Sequence, residues 1–253
     1  MDLPKNALKA ALAEDRCQLG LWMACRDSMM VELMAGAGFD WVLIDMEHAP
    51  SETADVARLL QATSAYDVST CVRVPWNDTV AIKRVLDVGA QTIVVPYVQT
   101  VEEAEAAVAA VRYPPRGVRG VGGSTRATRF GEVKDYATRA EEEICLILQV
   151  ETKAALPHVE AIASVDGVDG IFIGPADLAA SMGFPGEPGH PEVRKTVVDV
   201  TRRIRSVGKA PGFLAASPDY CREVQEAGSL FLGIDIDTVA LKRSIVERVN
   251  SFR

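Results

Sequence analysis

The chain has 253 residues, 48% hydrophobic and 25% charged, enough to bury a substantial core as one larger domain over residues 1–253. Its 35 acidic and 27 basic residues give a formal net charge of −8 without a basic run, which argues against nucleic acid as a partner. Five cysteines, odd in number and without a CxxC spacing, exclude a disulfide framework or structural zinc site and point to a reducing, cytoplasmic setting.

Residues 1–14 read as a mixed polar stretch without the apolar core of a signal peptide, and no later apolar run approaches the length of a membrane span. A first strand is predicted over residues 18–23, then a helix over 28–37. A strand over 41–45 precedes a helix over 51–65, which opens on the good helix starters Ser51 and Glu52. Strands over 70–74 and 92–95 flank a helix over 78–88 that Gly89 is placed to terminate. An alanine- and glutamate-rich helix follows over 101–111. Strands over 144–150, 170–173, 210–214 and 230–234 then alternate with helices over 153–163, 191–207, 217–227 and 237–249. Two long loops, 112–143 and 182–190, interrupt the rhythm; such loops are usually functional or interfacial. Strands alternating with helices in this number predict an α/β fold, a (β/α)8 TIM barrel. A doubly wound open sheet is the alternative, but the Gly-rich dinucleotide loop is missing.

In such a barrel the chemistry gathers at the carboxyl ends of the strands. The second strand ends Asp45-Met46-Glu47-His48, the third holds Arg73, the fifth ends Gln149-Val150-Glu151 and the sixth runs into Gly174-Pro175-Ala176-Asp177. The eighth carries Asp235, the first adds Trp22 as an aromatic wall, and the seventh ends apolar at Leu214. Each polar group has a plainer use: Asp45 or Asp177 as a helix cap, Arg73 as a buried ion-pair partner, His48 as a loop hydrogen-bonder. Their arrival on one rim from several strands favours a site. Glu151 and Asp177 end adjacent strands and can converge on one point. Two carboxylates without a histidine or cysteine cluster suit a hard cation, Mg2+ or Mn2+, with Co2+ a further option. A chelated 2-oxo acid would fill its open positions, and the ion and Arg73 would together stabilise an enolate. Backbone N–H groups near Ala176 and Asp177, at a helix start, suit the substrate carboxylate. Among three histidines, His158 falls in a helix and His190 in the Pro/Gly loop, which leaves His48 as the base. A Schiff base would need a lysine inside a strand; Lys209 precedes the seventh strand and Lys153 starts a helix.

Several runs together resemble the HpcH/HpaI aldolase family: Gly38-Phe39-Asp40-Trp41-Val42-Leu43-Ile44-Asp45-Met46-Glu47-His48, Val72-Arg73-Val74-Pro75, Arg116-Gly117-Val118-Arg119-Gly120, Leu148-Gln149-Val150-Glu151-Thr152 and Gly170-Ile171-Phe172-Ile173-Gly174-Pro175-Ala176-Asp177-Leu178. They occur in order across roughly residues 21–236. The resemblance implies a barrel with an exchanged C-terminal helix, assembled as a homo-oligomer, a hexamer built from dimers. It implies divalent-metal-dependent cleavage of 4-hydroxy-2-oxo acids to pyruvate or hydroxypyruvate and an aldehyde. By the same resemblance Glu151 and Asp177 are metal ligands, Arg73 contacts the keto oxygen, and Gln149 lies near the water on the metal. Ala176 contacts the pyruvate carboxylate through its backbone, and His48 is catalytic in a dyad with Asp87. Because Asp87 falls late in its helix, near the rim opposite its own His48, a neighbouring subunit is expected to supply it. Trp22 and Leu214 are expected to line the substrate. Met46, Cys25-Arg26-Asp27 and Gly122-Gly123-Ser124-Thr125-Arg126 depart from the family pattern and are expected to shape the aldehyde pocket. A CoA-thioester lyase of the citramalyl or malyl type is the alternative, kept open by arginines 112, 116, 119, 126 and 129. A non-catalytic barrel is a further one.

Overall fold

A computed structural model describes all residues, Met1–Arg253, as eight parallel strands closed in sequence order into a barrel. The strands are β1 (Gln18–Met23), β2 (Trp41–Asp45), β3 (Ser69–Arg73), β4 (Thr92–Val95), β5 (Cys145–Val150), β6 (Gly170–Ile173), β7 (Ala210–Leu214) and β8 (Phe231–Ile236). The helices are α1 (Ala7–Ala13), α2 (Ser28–Ala35), α3 (Thr53–Thr63), α4 (Thr79–Asp87), α5 (Val101–Val111), α6 (Tyr136–Glu143), α7 (Val159–Ala163), α8 (Pro175–Met182), α9 (Pro191–Ser206), α10 (Pro218–Glu226) and α11 (Asp237–Asn250). Pairing of β8 with β1 closes the ring. No helix is long and apolar enough to cross a membrane.

Strand side chains alternate between two cores. Val42, Ile44, Val72, Ile93, Leu148 and Ile171 face outward into the layer beneath the helices. Trp41, Leu43, Cys71, Val94, Ile147, Phe172 and Phe231 point into the barrel and fill it. Each large apolar side chain buried this way contributes about 1.5–3 kcal/mol. Trp41 stacks on Phe231 with centroids 4.0 Å apart, and Gly20 leaves room for it: a Cβ there would lie 2.0 Å from the Trp41 ring. Cys71 and Cys145 are fully buried free thiols, and burial pushes both thiol pKa values up.

Three expectations need correction. Residues 1–14 hold a helix, α1, whose Leu8 and Leu12 join the core inside the barrel. Asn6 caps α1 by accepting from Lys9 N, and its amide donates to Gln91 O, Thr92 Oγ1 and Glu143 O. The helix therefore closes the barrel floor, which a short run with modest periodicity did not announce. The long loop 112–143 ends in helix α6. The helix predicted from residue 153 begins only at a 3-10 turn, Leu156–His158, because Pro157 lacks the N–H that a continuous α-helix would use.

Candidate active site

The alternation that fills the barrel also aims the next inward positions at its carboxyl-end mouth: Asp45 on β2, Arg73 on β3, Gln149 and then Glu151 on β5, Gly174 after β6. They line a cavity of about 560 Å³, a size suited to a small substrate. Trp22, His48, Arg73, Gln149, Glu151, Ala176, Asp177 and Leu214 all line it. Of the residues given a catalytic, substrate or metal role from sequence, Asp87 alone does not.

Parallel pairing places Asp45 directly beside Arg73. The Arg73 guanidinium donates twice to Asp45, from Nε at 2.9 Å and Nη2 at 2.7 Å. Its Nη1 lies 2.8 Å from Glu47 Oε2, and its carbon sits 4.7 Å over the Trp22 ring. Trp22 Nε1 in turn donates to Asp45 at 3.3 Å. Burial alone would raise the Asp45 pKa, but the Arg73 pair outweighs it and holds the carboxyl below the usual range. At Glu47 burial prevails over Arg73 and pushes the pKa up. The roles of Asp45 and Glu47 as the arms that fix Arg73 were missed from sequence. The signal was there: acidic residues two apart at a strand end face one way, beside an arginine at the matching register.

Glu151 is buried at 2% exposure. Its Oε1 accepts from Tyr97 N at 2.9 Å and its Oε2 from the Gln149 amide. Tyr97 achieves this in a left-handed conformation, φ +58°, costly for a residue with a side chain and frequent at functional sites. Burial raises the Glu151 pKa to about 7; the Gln149 and Tyr97 hydrogen bonds oppose the rise, and repulsion by Asp177 and Glu47 adds to it. Asp177 stands exposed in the first turn of α8, with no basic side chain paired to it. The Gln149 Oε1 is buried without a hydrogen-bond partner. Two carboxylates lacking a protein cation, next to an orphaned amide oxygen, form an all-oxygen donor set that fits a hard divalent ion. No three His, Cys, Asp or Glu side chains converge into a closed cage, so an ion here would keep positions for water and substrate. Gly174 is required by this arrangement, since a Cβ there would fall 2.2 Å from Glu151 Oε2. Gly174→Ala is therefore expected to displace the carboxylate and weaken Mn2+ binding by at least about tenfold, measured by titration calorimetry.

A family model described as HpcH/HpaI aldolase/citrate lyase matches residues 18–243. The chain belongs to the HpcH/HpaI family. A hydroxypyruvate/pyruvate aldolase of Sagittula stellata is 51% identical over 98% of both chains. A 4-hydroxy-2-oxovalerate aldolase of Rhodococcus jostii is 50% identical over 96% of this chain and 94% of that one. The crystal structure of an HpcH/HpaI aldolase/citrate lyase family protein from Burkholderia cenocepacia superposes with a TM-score of 0.95 at 38% identity, covering 98% of this chain and all of that one.

In this HpcH/HpaI aldolase His48 sits exposed at the mouth, its Nε2 3.9 Å from Glu47 Oε2. Asp87 ends α4, whose chain direction carries it to the opposite rim, where it accepts from Arg119 Nη2 at 3.0 Å. Arg119 is buried there between Tyr113 and Tyr136. Within one chain the residues expected to shape the aldehyde pocket lie away from the cavity lining. Met46 packs on the outer core, Cys25 N donates to Asp237, and Arg26 donates to Pro50 O. The 122–126 loop lies beside Asp87 and Gly89 at the far rim. Asp235 turns from the cavity to pair with Arg243. None of arginines 112, 116, 119, 126 and 129 reaches the cavity; 112 and 116 are taken up by Glu141 and Asp166. The wall that sequence reasoning missed comes from the β7–α10 connection and β8, small and apolar positions indistinguishable from core in the sequence.

Proposed function

We propose that this aldolase cleaves 4-hydroxy-2-oxo acids reversibly at the C3–C4 bond, giving pyruvate or hydroxypyruvate and an aldehyde, with a divalent cation held by Glu151 and Asp177. The observation that carries this is the buried Glu151, with no basic side chain against it, facing Asp177 in the cavity that also presents the clamped Arg73. Bound there, Mg2+, Mn2+ or Co2+ supplies Lewis acidity that stabilises negative charge on the 2-oxo acid. The protein's own groups do the rest. Arg73, with two of its N–H groups fixed on Asp45 and its charge paired with Glu47, turns its remaining donors to the keto oxygen, where charge grows as the C3–C4 electrons move toward the carbonyl. His48 takes the proton from the C4 hydroxyl, and the C4–O bond becomes the aldehyde carbonyl. In the reverse direction it returns that proton. N–H groups of the first turn of α8, at Ala176, hold the substrate carboxylate. Gln149 Oε1 accepts from a hydroxyl or water in the cavity.

The reading extends to assembly. Asp87 of a neighbouring subunit completes a dyad with His48, in a homo-oligomer, a hexamer built from dimers. Supporting this, α11 leaves Leu241, Ile245 and Val249 exposed along one stripe, suited to exchange onto a neighbour. The free cysteines suit a cytoplasmic location.

Exchange of the pyruvate C3 protons in deuterated water tests the core of the proposal without any aldehyde. Exchange that requires Mn2+ or Mg2+ and stops reversibly with EDTA is expected; exchange indifferent to chelator would overturn it. His48→Ala is expected to lower aldol turnover roughly a hundredfold while Mn2+ affinity stays within twofold or so. Mn2+ affinity should also fall as the pH is lowered. Because Glu151 titrates at about 7, a proton must leave before the cation binds. Below pH 7 the Kd should rise by about tenfold per pH unit, levelling above it, as a calorimetric titration series from pH 5.5 to 8.5 will show.

A further inference from the structure

The groups that hold Glu151 reach beyond the cavity lining. Its Oε1 accepts from Tyr97 N, in the connection that follows β4. The next N–H along the chain, that of Val98, donates to Gln149 O at 2.9 Å. Two consecutive N–H groups thus serve one neighbour, the end of β5 and the residue after it. An extended chain cannot do this, because its successive N–H groups point to opposite sides. The left-handed turn at Tyr97, φ +58°, brings them to the same side. Glycine adopts that conformation freely; a tyrosine stays in it only where its surroundings hold it.

The hold comes from outside the cavity. The Tyr97 ring stacks on Trp76, in the β3–α4 connection, with centroids 5.6 Å apart and 28° between the planes. The two connections are tied again one residue on. Asn77 Nδ2 donates to Glu103 O at 2.9 Å, and the Glu103 carboxylate accepts from Gln99 N at 2.7 Å. The hydroxyl of Thr152, next after Glu151, donates to Gln99 Oε1 at 2.9 Å. Neither aromatic ring lines the cavity, and Trp76, at 54% exposure, contributes little to the core.

We propose that Trp76 is a positioning residue for the cation site: its ring braces Tyr97 in the left-handed conformation and, through the Tyr97 N–H, sets the Glu151 carboxylate. This role rests on the reading of Glu151 as a cation ligand and adds a residue that touches neither substrate nor ion. The contacts behind it all lie within one chain.

The test is Mn2+ affinity, measured by titration calorimetry on the intact protein and its variants. Trp76→Ala is expected to weaken binding at least about fivefold, as loss of support behind a metal ligand does. Trp76→Phe keeps a ring for the stack and is expected to stay within about twofold of the parent. Tyr97→Gly needs no brace, so in that background Trp76→Ala is expected to change the Kd by less than about twofold. A Trp76→Ala variant that binds like the parent would overturn the brace. An equal loss in both backgrounds, or a Trp76→Phe variant as weak as Trp76→Ala, would overturn it too, since Trp76 would then act on something other than Tyr97. All three of these results leave the cation reading standing. A parent that binds no Mn2+ removes that reading and the brace with it.

Discussion

Glu151→Gln is expected to abolish pyruvate C3 proton exchange, by about three orders of magnitude or more, while the barrel stays folded. The substitution keeps the shape of the side chain, and its one amide oxygen can still accept from Tyr97 N, while its NH2 can be met only if the Gln149 amide turns its own oxygen toward it. It removes the charge that binds a cation. Stability in the absence of metal should move the other way, and its pH dependence gives the sign. The folded-state pKa of Glu151 is raised by burial to about 7, above the value of an exposed glutamate. The protonated group is favoured in the fold, so its contribution is fully present below the unfolded pKa and is lost as pH rises through 7. The neutral amide of the variant escapes that loss. Thermal melts of metal-free protein should show variant and parent alike near pH 5 and the variant more stable at pH 8.5. A variant that bound Mn2+ and exchanged protons normally would remove Glu151 from the site.

Arg73→Lys is expected to cost catalysis roughly a hundredfold or more, because an ammonium cannot reproduce the fork that meets Asp45 twice, reaches Glu47 and still offers donors to the cavity. Arg73→Ala should lose activity and also about 3–5 kcal/mol of stability, since it strands the buried Asp45 carboxylate without its counter-charge. Urea unfolding of the metal-free proteins measures the second effect, and steady-state kinetics the first. Combining Asp45→Asn with Arg73→Ala should recover much of the lost stability and none of the activity. If the alanine variant were as stable as the parent, the clamp would carry no energetic weight.

The barrel was legible because eight short apolar runs alternate with helical stretches, the rhythm of a parallel sheet with its helices outside. Trp41, Leu43 and Asp45 share one face of β2, with Val42 and Ile44 on the other. Strand ends were predicted within two residues, and the polar groups at those ends converge as expected. What could not be read was partnership across elements. Nothing local shows that Tyr97 turns left-handed to hand its N–H to Glu151, or that Gly174 exists to spare that carboxylate. Helix α1 was missed for a related reason: its apolar stripe is only Leu8 and Leu12, and its value comes from the ring of strands above it. The position of Asp87 was anticipated from chain direction, because a residue late in α4 must return to the far rim.

Helix α1 has a kinetic consequence. Together with the packed layer of Trp41, Phe172 and Phe231 above it, it closes one end of the barrel and leaves the cavity a blind well with a single door. The donor-side groups Arg73, Gln149 and Glu151 lie buried at its bottom, whereas Ala216 and Ser217 are exposed near the opening. Whatever sits deepest must enter first and depart last. Traffic through the well is therefore ordered, with the aldehyde leaving ahead of the 2-oxo acid, and product inhibition of cleavage should be competitive for pyruvate and mixed for the aldehyde.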